Sequence, residues 1–295
     1  MRHVILGAGG VGGTMAACLA HIGEEVTVVV RPEKLAAHRS RIEFKSTFGS
    51  WAAEVEWASS VLPTDILWLT VKATQLESAL RLISDPSSVG AVVPLLNGIE
   101  HIELLRARFG ADRVIPATIA GEMERVDAGR FVHPSPFLIL NVSSRGRSLL
   151  EPAMEKLRGL GFMCNFMDDE TTLLWSKLVM LGPMALSTTA FDNAVGQVLT
   201  NPETYRQFEG CVREACAAGI VEGAKLDTEG VLKTMSKAPP GMRSSMQKDV
   251  ENGRPPELDA IGGAIVRAAK RHRLEAPFTE QLMSLVERRA RASRP

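Results

Sequence analysis

Val4-Ile5-Leu6-Gly7-Ala8-Gly9-Gly10-Val11-Gly12-Gly13-Thr14 stands almost at the start of the chain. Three apolar residues run into G-x-G-x-x-G at positions 7, 9 and 12, and the pattern continues as the helix-like Thr14-Met15-Ala16-Ala17-Cys18-Leu19-Ala20-His21. A strand, a glycine turn and a helix in that order make a dinucleotide-binding unit. Gly7 would permit the tight turn, Gly9 would let a pyrophosphate approach the backbone, and Gly12 would let helix and strand pack closely. Gly10 and Val11 complete the set, because the helix start offers free N–H groups and a positive dipole end to phosphates.

A lone G-x-G-x-x-G also serves in purely structural turns. Here a second apolar run, Val26-Thr27-Val28-Val29-Val30, closes a β-α-β unit at the expected spacing. Arg31 follows it. At that position a carboxylate would hold the ribose 2'-hydroxyl of NAD, whereas an arginine accommodates the 2'-phosphate of NADP and can stack on adenine. NADP(H) is thus the cofactor favoured over NAD, although an arginine at a strand end can also be simply solvated.

Residues 42–58 alternate apolar and polar around Phe48-Gly49-Ser50, which predicts a hairpin inserted between the halves of the nucleotide fold. Residues 65–72 and 91–98 then read as two more buried strands, the first passing into a helix over 75–83. Lys72 and Asn97 fall at their carboxyl ends, the edge where ligands bind in open α/β sheets, although strand-end polar residues are also common without a ligand. Short segments at 114–115, 129–133 and 137–141 read as antiparallel additions to the sheet, and a helix over 149–160 with a strand over 162–167 completes a first domain, residues 1–168. From 169 to 295 the periodicity is helical: 171–190, apolar nearly all round and with a kink expected at Pro183, then 202–223, 228–236, 258–273 and 278–294. The expected fold class is a Rossmann-type doubly wound α/β sheet followed by an all-α domain.

With 34 basic and 34 acidic residues the net charge is zero, so no global field favours nucleic acid or an anionic membrane, and anion recognition must be local. The four cysteines form no C-x-x-C and have no histidine at metal spacing, which predicts no metal site and reduced, buried thiols of a cytoplasmic protein. The start leaves no room for a signal peptide before the first strand, and the apolar stretch 173–190 is broken by Lys177, Gly182 and Pro183, a poor membrane span. The long apolar helices are compatible with a homodimer. The basic stretch 288–294 reads as a solvated helix face.

Read from its residues, Lys177 is a helix lysine whose head snorkels to water, Glu257 a first-turn residue after Pro255-Pro256, and Ser244 and Ser245 loop serines or a cap. Taken together, Gly7-x-Gly9-x-x-Gly12, Arg31, Val71-Lys72, Leu96-Asn97-Gly98, Trp175-x-Lys177-Leu178, Ser244-Ser245-Met246-x-x-Asp249 and Glu257-Leu258-Asp259 resemble the ketopantoate reductase (2-dehydropantoate 2-reductase) family over almost the whole chain. The resemblance implies NADPH-dependent reduction of a 2-oxo acid to a 2-hydroxy acid in pantothenate biosynthesis, with the substrate in a cleft between a Rossmann-type domain and a helical one. It makes Lys177 the general acid, Glu257 a catalytic carboxylate that also binds a substrate hydroxyl, and Ser245 a contact to the substrate carboxylate. Asn97 and Lys72 would lie around nicotinamide and substrate, and Asn193 would match a further substrate-contacting asparagine. The chemistry agrees, since a ketone that accepts hydride becomes an alkoxide and needs a cation or proton donor beside it.

One departure stands out. The family pattern has substrate-contacting asparagines one and two helical turns after the lysine, where this chain has Leu181 and Ala185. A substrate hydroxyl there would lose hydrogen bonds worth about 1–3 kcal/mol. Alternative readings are thus a family paralogue reducing or oxidising a more apolar keto or hydroxy acid or an opine-like substrate, and a non-catalytic NADP-binding sensor.

Overall fold

The computed structural model describes residues 1–38 and 40–293 and forms two compact units, one of residues 1–96 with 101–173, the other of 97–100 with the chain from 174 onward. In the first, β1 (Arg2–Leu6), β2 (Glu25–Val29), β5 (Glu56–Ala58), β6 (Thr64–Leu69) and β7 (Val89–Pro94) form one parallel sheet in the order β5-β2-β1-β6-β7. Its central strands β1, β6 and β7 carry near-continuous apolar runs because both faces are covered. Ile5, Val28, Trp68 and Val93 enter a core with Met15–Leu19 of α1 (Gly10–His21), while Leu6, Val29, Leu69 and Val92 enter another with Leu76 and Leu80 of α3 (Leu76–Leu80) and Leu105 and Phe109 of α4 (His101–Phe109).

Two expectations about this unit change. The hairpin is present as β3 (Arg41–Ser46) antiparallel to β4 (Gly49–Glu54), but Glu56-Trp57-Ala58 leaves it and pairs in parallel with β2. The alternation that suggested one hairpin spans two sheets, since Val55 N–H already bonds back to Ser40 before the chain crosses over. The segments after residue 113 are not antiparallel additions to the main sheet. Val114 makes a lone parallel bridge to Val92, β10 (Arg130–His133) runs parallel to β3 and antiparallel to β9 (Glu124–Arg125), and β11 (Ile139–Ser143) lies between β8 (Ala117–Ala120) and β12 (Met163–Met167) in a third sheet. Short strands joined by turns carry a strand signal but no record of their partner. The helix α5 (Arg147–Gly159) precedes β12, and α2 (Pro32–Leu35) follows Arg31.

The second unit is helical. α6 (Glu170–Phe191) enters it and runs unbroken through Pro183. It is followed by α7 (Val195–Thr200), α8 (Pro202–Val221), α9 (Thr228–Met235), α10 (Ser245–Glu251), α11 (Ala264–Arg271) and α12 (Pro277–Ala292). The core centres on α8, where Phe208, Cys211, Val212, Ala215 and Cys216 are buried against Trp175, Leu178, Ile265 and Leu282. Close approach is possible because Gly210 faces the Phe278 ring and Gly219 faces Trp175, each leaving no room for a methyl group. The short helices α7 and α10 lie in stretches too brief to show a helical period. All four cysteines are free and buried. No helix among the described residues is long and apolar enough to cross a membrane. Arg294, the end of the predicted last helix, lies outside the described residues.

Candidate functional site

The glycine turn leaves β1 and caps α1. Gly7 has φ +112°, a conformation in which a side chain is strained, and a Cβ there would press on Val71. A Cβ on Gly12 would run into the Gly7 carbonyl oxygen and Thr70 Oγ1, and one on Gly10 into the Met123 carbonyl. These three glycines thus have reasons internal to the protein. Gly9 has none: its backbone is extended, φ −78° and ψ −169°, and a Cβ built on it meets nothing within 4 Å. The open space in front of Gly9, at the N-terminus of a twelve-residue helix, is the cradle that a dinucleotide diphosphate needs, so the residues present fit the cofactor. The Thr70 hydroxyl donates to the Gly7 carbonyl at 2.8 Å and pins the turn.

Arg31 lies directly beyond β2 as the residue capping α2, exposed and 3.3 Å from the Glu33 carboxylate. Lys72, three residues beyond β6, opens a single 3-10 turn over Ala73–Gln75 whose Gln75 N–H bonds to its carbonyl. Both stand at the carboxyl edge of the parallel sheet.

In the second unit, Asn97 joins Lys177 to Glu257. Lys177 Nζ donates to Asn97 Oδ1 at 3.0 Å, and Asn97 Nδ2 donates to Glu257 Oε2 at 3.0 Å. An ammonium can only donate and a carboxylate can only accept, so this chain fixes which way the amide points. Lys177 is half-buried and Glu257 is 6% exposed. Burial of the ammonium lowers the Lys177 pKa from its ordinary value to about 8, with the charge of Glu257 opposing the shift. The result is a lysine that is mostly protonated at neutral pH yet able to give its proton up.

The loop bearing Asn97 is held by its neighbours. Gly98, at φ +84°, lies against the Ala260 carbonyl, where a Cβ would not fit. Arg267 of α11 grips both carboxylate oxygens of Glu100, at 2.6 and 2.9 Å, and the Asp259 carboxylate at 2.6 Å. One guanidinium therefore ties the segment three residues past Asn97 to the segment two residues past Glu257. Between Glu257 and α11 the helix opens into a π turn over Asp259–Gly263, a wider coil that often accompanies functional positions. Nothing in the sequence singles out Glu100 or Arg267, since they are 167 residues apart.

The remaining predicted residues gather elsewhere. Ser244 caps α10 and, 3% exposed, hydrogen-bonds Thr188 at 2.8 Å, while Ser245 is exposed on the first turn. Asn193 follows Asp192, a non-glycine residue at φ 55°, and its N–H bonds to the Thr188 carbonyl. Thr188 is eleven residues beyond Lys177 on α6, roughly 16 Å at the helical rise, so Asn193 and Ser244–Ser245 form a group apart from Lys177, Asn97 and Glu257. Leu181 is half-buried against the helical core and Ala185 is inside it. A concavity of about 470 Å³ on the β3–β4–β9–β10 sheet, lined by Lys45, Trp51 and Arg130 among others, includes none of these residues.

Two family models cover most of the chain. Ketopantoate reductase PanE/ApbA matches residues 3–140, and its C-terminal counterpart matches 170–290. The 2-dehydropantoate 2-reductase of Mycobacterium tuberculosis is 31% identical over 241 residues, 76% of each chain. Among solved structures, 2-dehydropantoate 2-reductase from Geobacter metallireducens has a TM-score of 0.86 at 23% identity over 98% of this chain and 99% of its own. D-mandelate dehydrogenase in ternary complex with NADH and anilino(oxo)acetate has a TM-score of 0.87 at 21% identity over 99% of both chains. The glycine turn, the helical unit and these matches lead to one conclusion: the chain belongs to the ketopantoate reductase family and is an NADP-dependent oxidoreductase acting on CH–OH groups, a keto acid reductase.

Proposed function

We propose that the chain reduces 2-dehydropantoate to pantoate, a step of pantothenate biosynthesis, with Lys177 as the general acid. The observation that carries this reading is the hydrogen-bonded series Lys177–Asn97–Glu257 with a lysine pKa near 8. NADPH, when bound, supplies the hydride that converts the carbonyl carbon to an alcohol carbon. Lys177 stabilises the developing alkoxide and gives it the Nζ proton. Asn97 holds the lysine amine in place by accepting from it, and Glu257 orients that amide while keeping the lysine charged at neutral pH. Gly7, Gly9, Gly10, Val11 and Gly12 would cradle the diphosphate, Arg31 the 2'-phosphate, and Lys72 and Asn97 the nicotinamide end. Ser245 and Asn193, being near Thr188, would serve a part of the substrate remote from the reacting carbonyl. The four buried free thiols fit a reducing, cytoplasmic setting.

A second reading is favoured by Leu181 and Ala185: a more apolar 2-oxo acid, with no hydroxyl to satisfy on that face of α6. A fold of this kind also holds anilino(oxo)acetate in D-mandelate dehydrogenase. The two are separated by loss of reduced-nicotinamide absorbance with purified protein, ketopantoate and unsubstituted branched 2-oxo acids, NADH serving as the cofactor control. The first reading predicts a kcat/KM for ketopantoate at least about tenfold above the apolar acids, one good hydrogen bond's worth of discrimination. The reverse order would assign the apolar substrate. NADPH binding without turnover of any acid would leave a sensor.

A further inference from the structure

Arg125 lies outside every motif in the chain, yet it stands on the glycine turn. The strand that carries it, β9, follows a segment packed so tightly on the start of α1 that the Met123 carbonyl leaves no room for a Cβ on Gly10. From there the guanidinium Nη1 donates to the Ala8 carbonyl at 3.3 Å, one residue before the open space at Gly9. The side chain is exposed, and among the described residues that carbonyl is its one polar partner; no carboxylate neutralises it. A single long bond to a neutral oxygen uses one of five guanidinium N–H donors and does not account for a full positive charge at this place. Arg31 is differently situated, beyond β2 and paired with Glu33.

We infer that Arg125 binds the diphosphate of the nicotinamide dinucleotide, closing over it from β9 while the backbone of residues 9–11 holds it from below. The inference rests on the cofactor reading of the glycine turn. It divides anion recognition between two arginines: Arg31 for the 2'-phosphate, which only NADPH carries, and Arg125 for the diphosphate, which NADPH and NADH share. Since the chain has no net charge, such local cations are the means it has to attract a polyanionic ligand.

Dissociation constants for NADPH and NADH, measured by calorimetry on Arg125→Ala, Arg125→Gln and Arg125→Lys, test this directly. Arg125→Ala is expected to weaken both dinucleotides at least about tenfold and by the same factor, to flatten the dependence of affinity on salt, and to leave thermal unfolding of the free protein unchanged, the side chain being exposed. Arg125→Gln can still donate to the Ala8 carbonyl but carries no charge, and should be as weak as alanine, while Arg125→Lys should recover part of the loss. Wild-type affinity in Arg125→Gln would mean that the arginine merely braces the turn and would overturn the inference. So would a loss confined to NADPH, which would place Arg125 on the 2'-phosphate. Wild-type protein that binds neither dinucleotide would overturn the cofactor reading itself, a result distinct from an unchanged variant of a protein that binds.

Discussion

Lys177→Ala is expected to lower kcat for 2-oxo acid reduction by about 10²–10⁴, the usual contribution of a positioned general acid, while NADPH still binds. The pH dependence makes the prediction specific. A lysine with a pKa of about 8 is in its acid form below that pH and loses its transferable proton above it, so kcat/KM should be level on the acid side of pH 8 and fall about tenfold per unit beyond. The alkaline limb should vanish in Lys177→Ala. Lys177→Arg, which keeps a cation but holds its proton at any accessible pH, should not restore the rate. Because the charge of Glu257 raises the lysine pKa against the larger effect of burial, Glu257→Gln should move the limb to lower pH. Turnover and pH profile unchanged in Lys177→Ala would remove the lysine from the mechanism.

The same pKa has a consequence for stability with the opposite sense. Lys177 is harder to protonate in the folded chain than in the unfolded one, so the unfolded state binds more protons between pH 8 and the ordinary lysine value, and stability gains from this group as pH rises through that window. The chain bears a folding cost at neutral pH to keep an ammonium buried there, a cost that the proposed general-acid role would explain. That is the reverse of what a lysine placed for stability would do.

What the sequence made legible follows the range of the interactions involved. The turn at residues 7–12, the apolar strands and the start of α6 are local patterns, and each appears in the structure within a few residues of its expected place. Lys72 and Asn97 are found beyond parallel strands because a buried strand and its polar exit are contiguous in sequence. The path of residues 56–58 was not legible, since alternation reveals that a segment is extended and half-buried but says nothing of which sheet accepts it. Nor was the bridge from Lys177 to Glu257, whose middle member lies 80 residues from one end and 160 from the other. Sequence pattern separated Asn193 and Ser245 from the lysine no better. The hydrogen bonds of Asn193 N–H and of Ser244, next to Ser245, place them at Thr188, and the rise of α6 sets Thr188 apart from the lysine.

Gly9→Ala and Gly12→Ala should fail in opposite ways, although the two glycines belong to one motif. At Gly12 the added methyl meets the Gly7 carbonyl and Thr70 Oγ1, a backbone atom and a hydroxyl pinned at 2.8 Å, neither of which can yield without breaking the turn. Overpacking against such atoms costs about 3 kcal/mol or more, so urea or thermal unfolding should show a markedly weaker first unit. At Gly9 the methyl projects into open space from an extended backbone that alanine adopts freely, and stability should change by less than about 1 kcal/mol, a less flexible unfolded chain offsetting the poorer helix cap that alanine makes. Yet that methyl occupies the place proposed for the diphosphate, whose close approach to the backbone is the reason for a glycine there. NADPH affinity should therefore fall by more than about tenfold in a protein as stable as the wild type. Wild-type NADPH affinity in Gly9→Ala would show that the dinucleotide does not approach the chain at Gly9, and the assignment of the turn as its cradle would have to be given up.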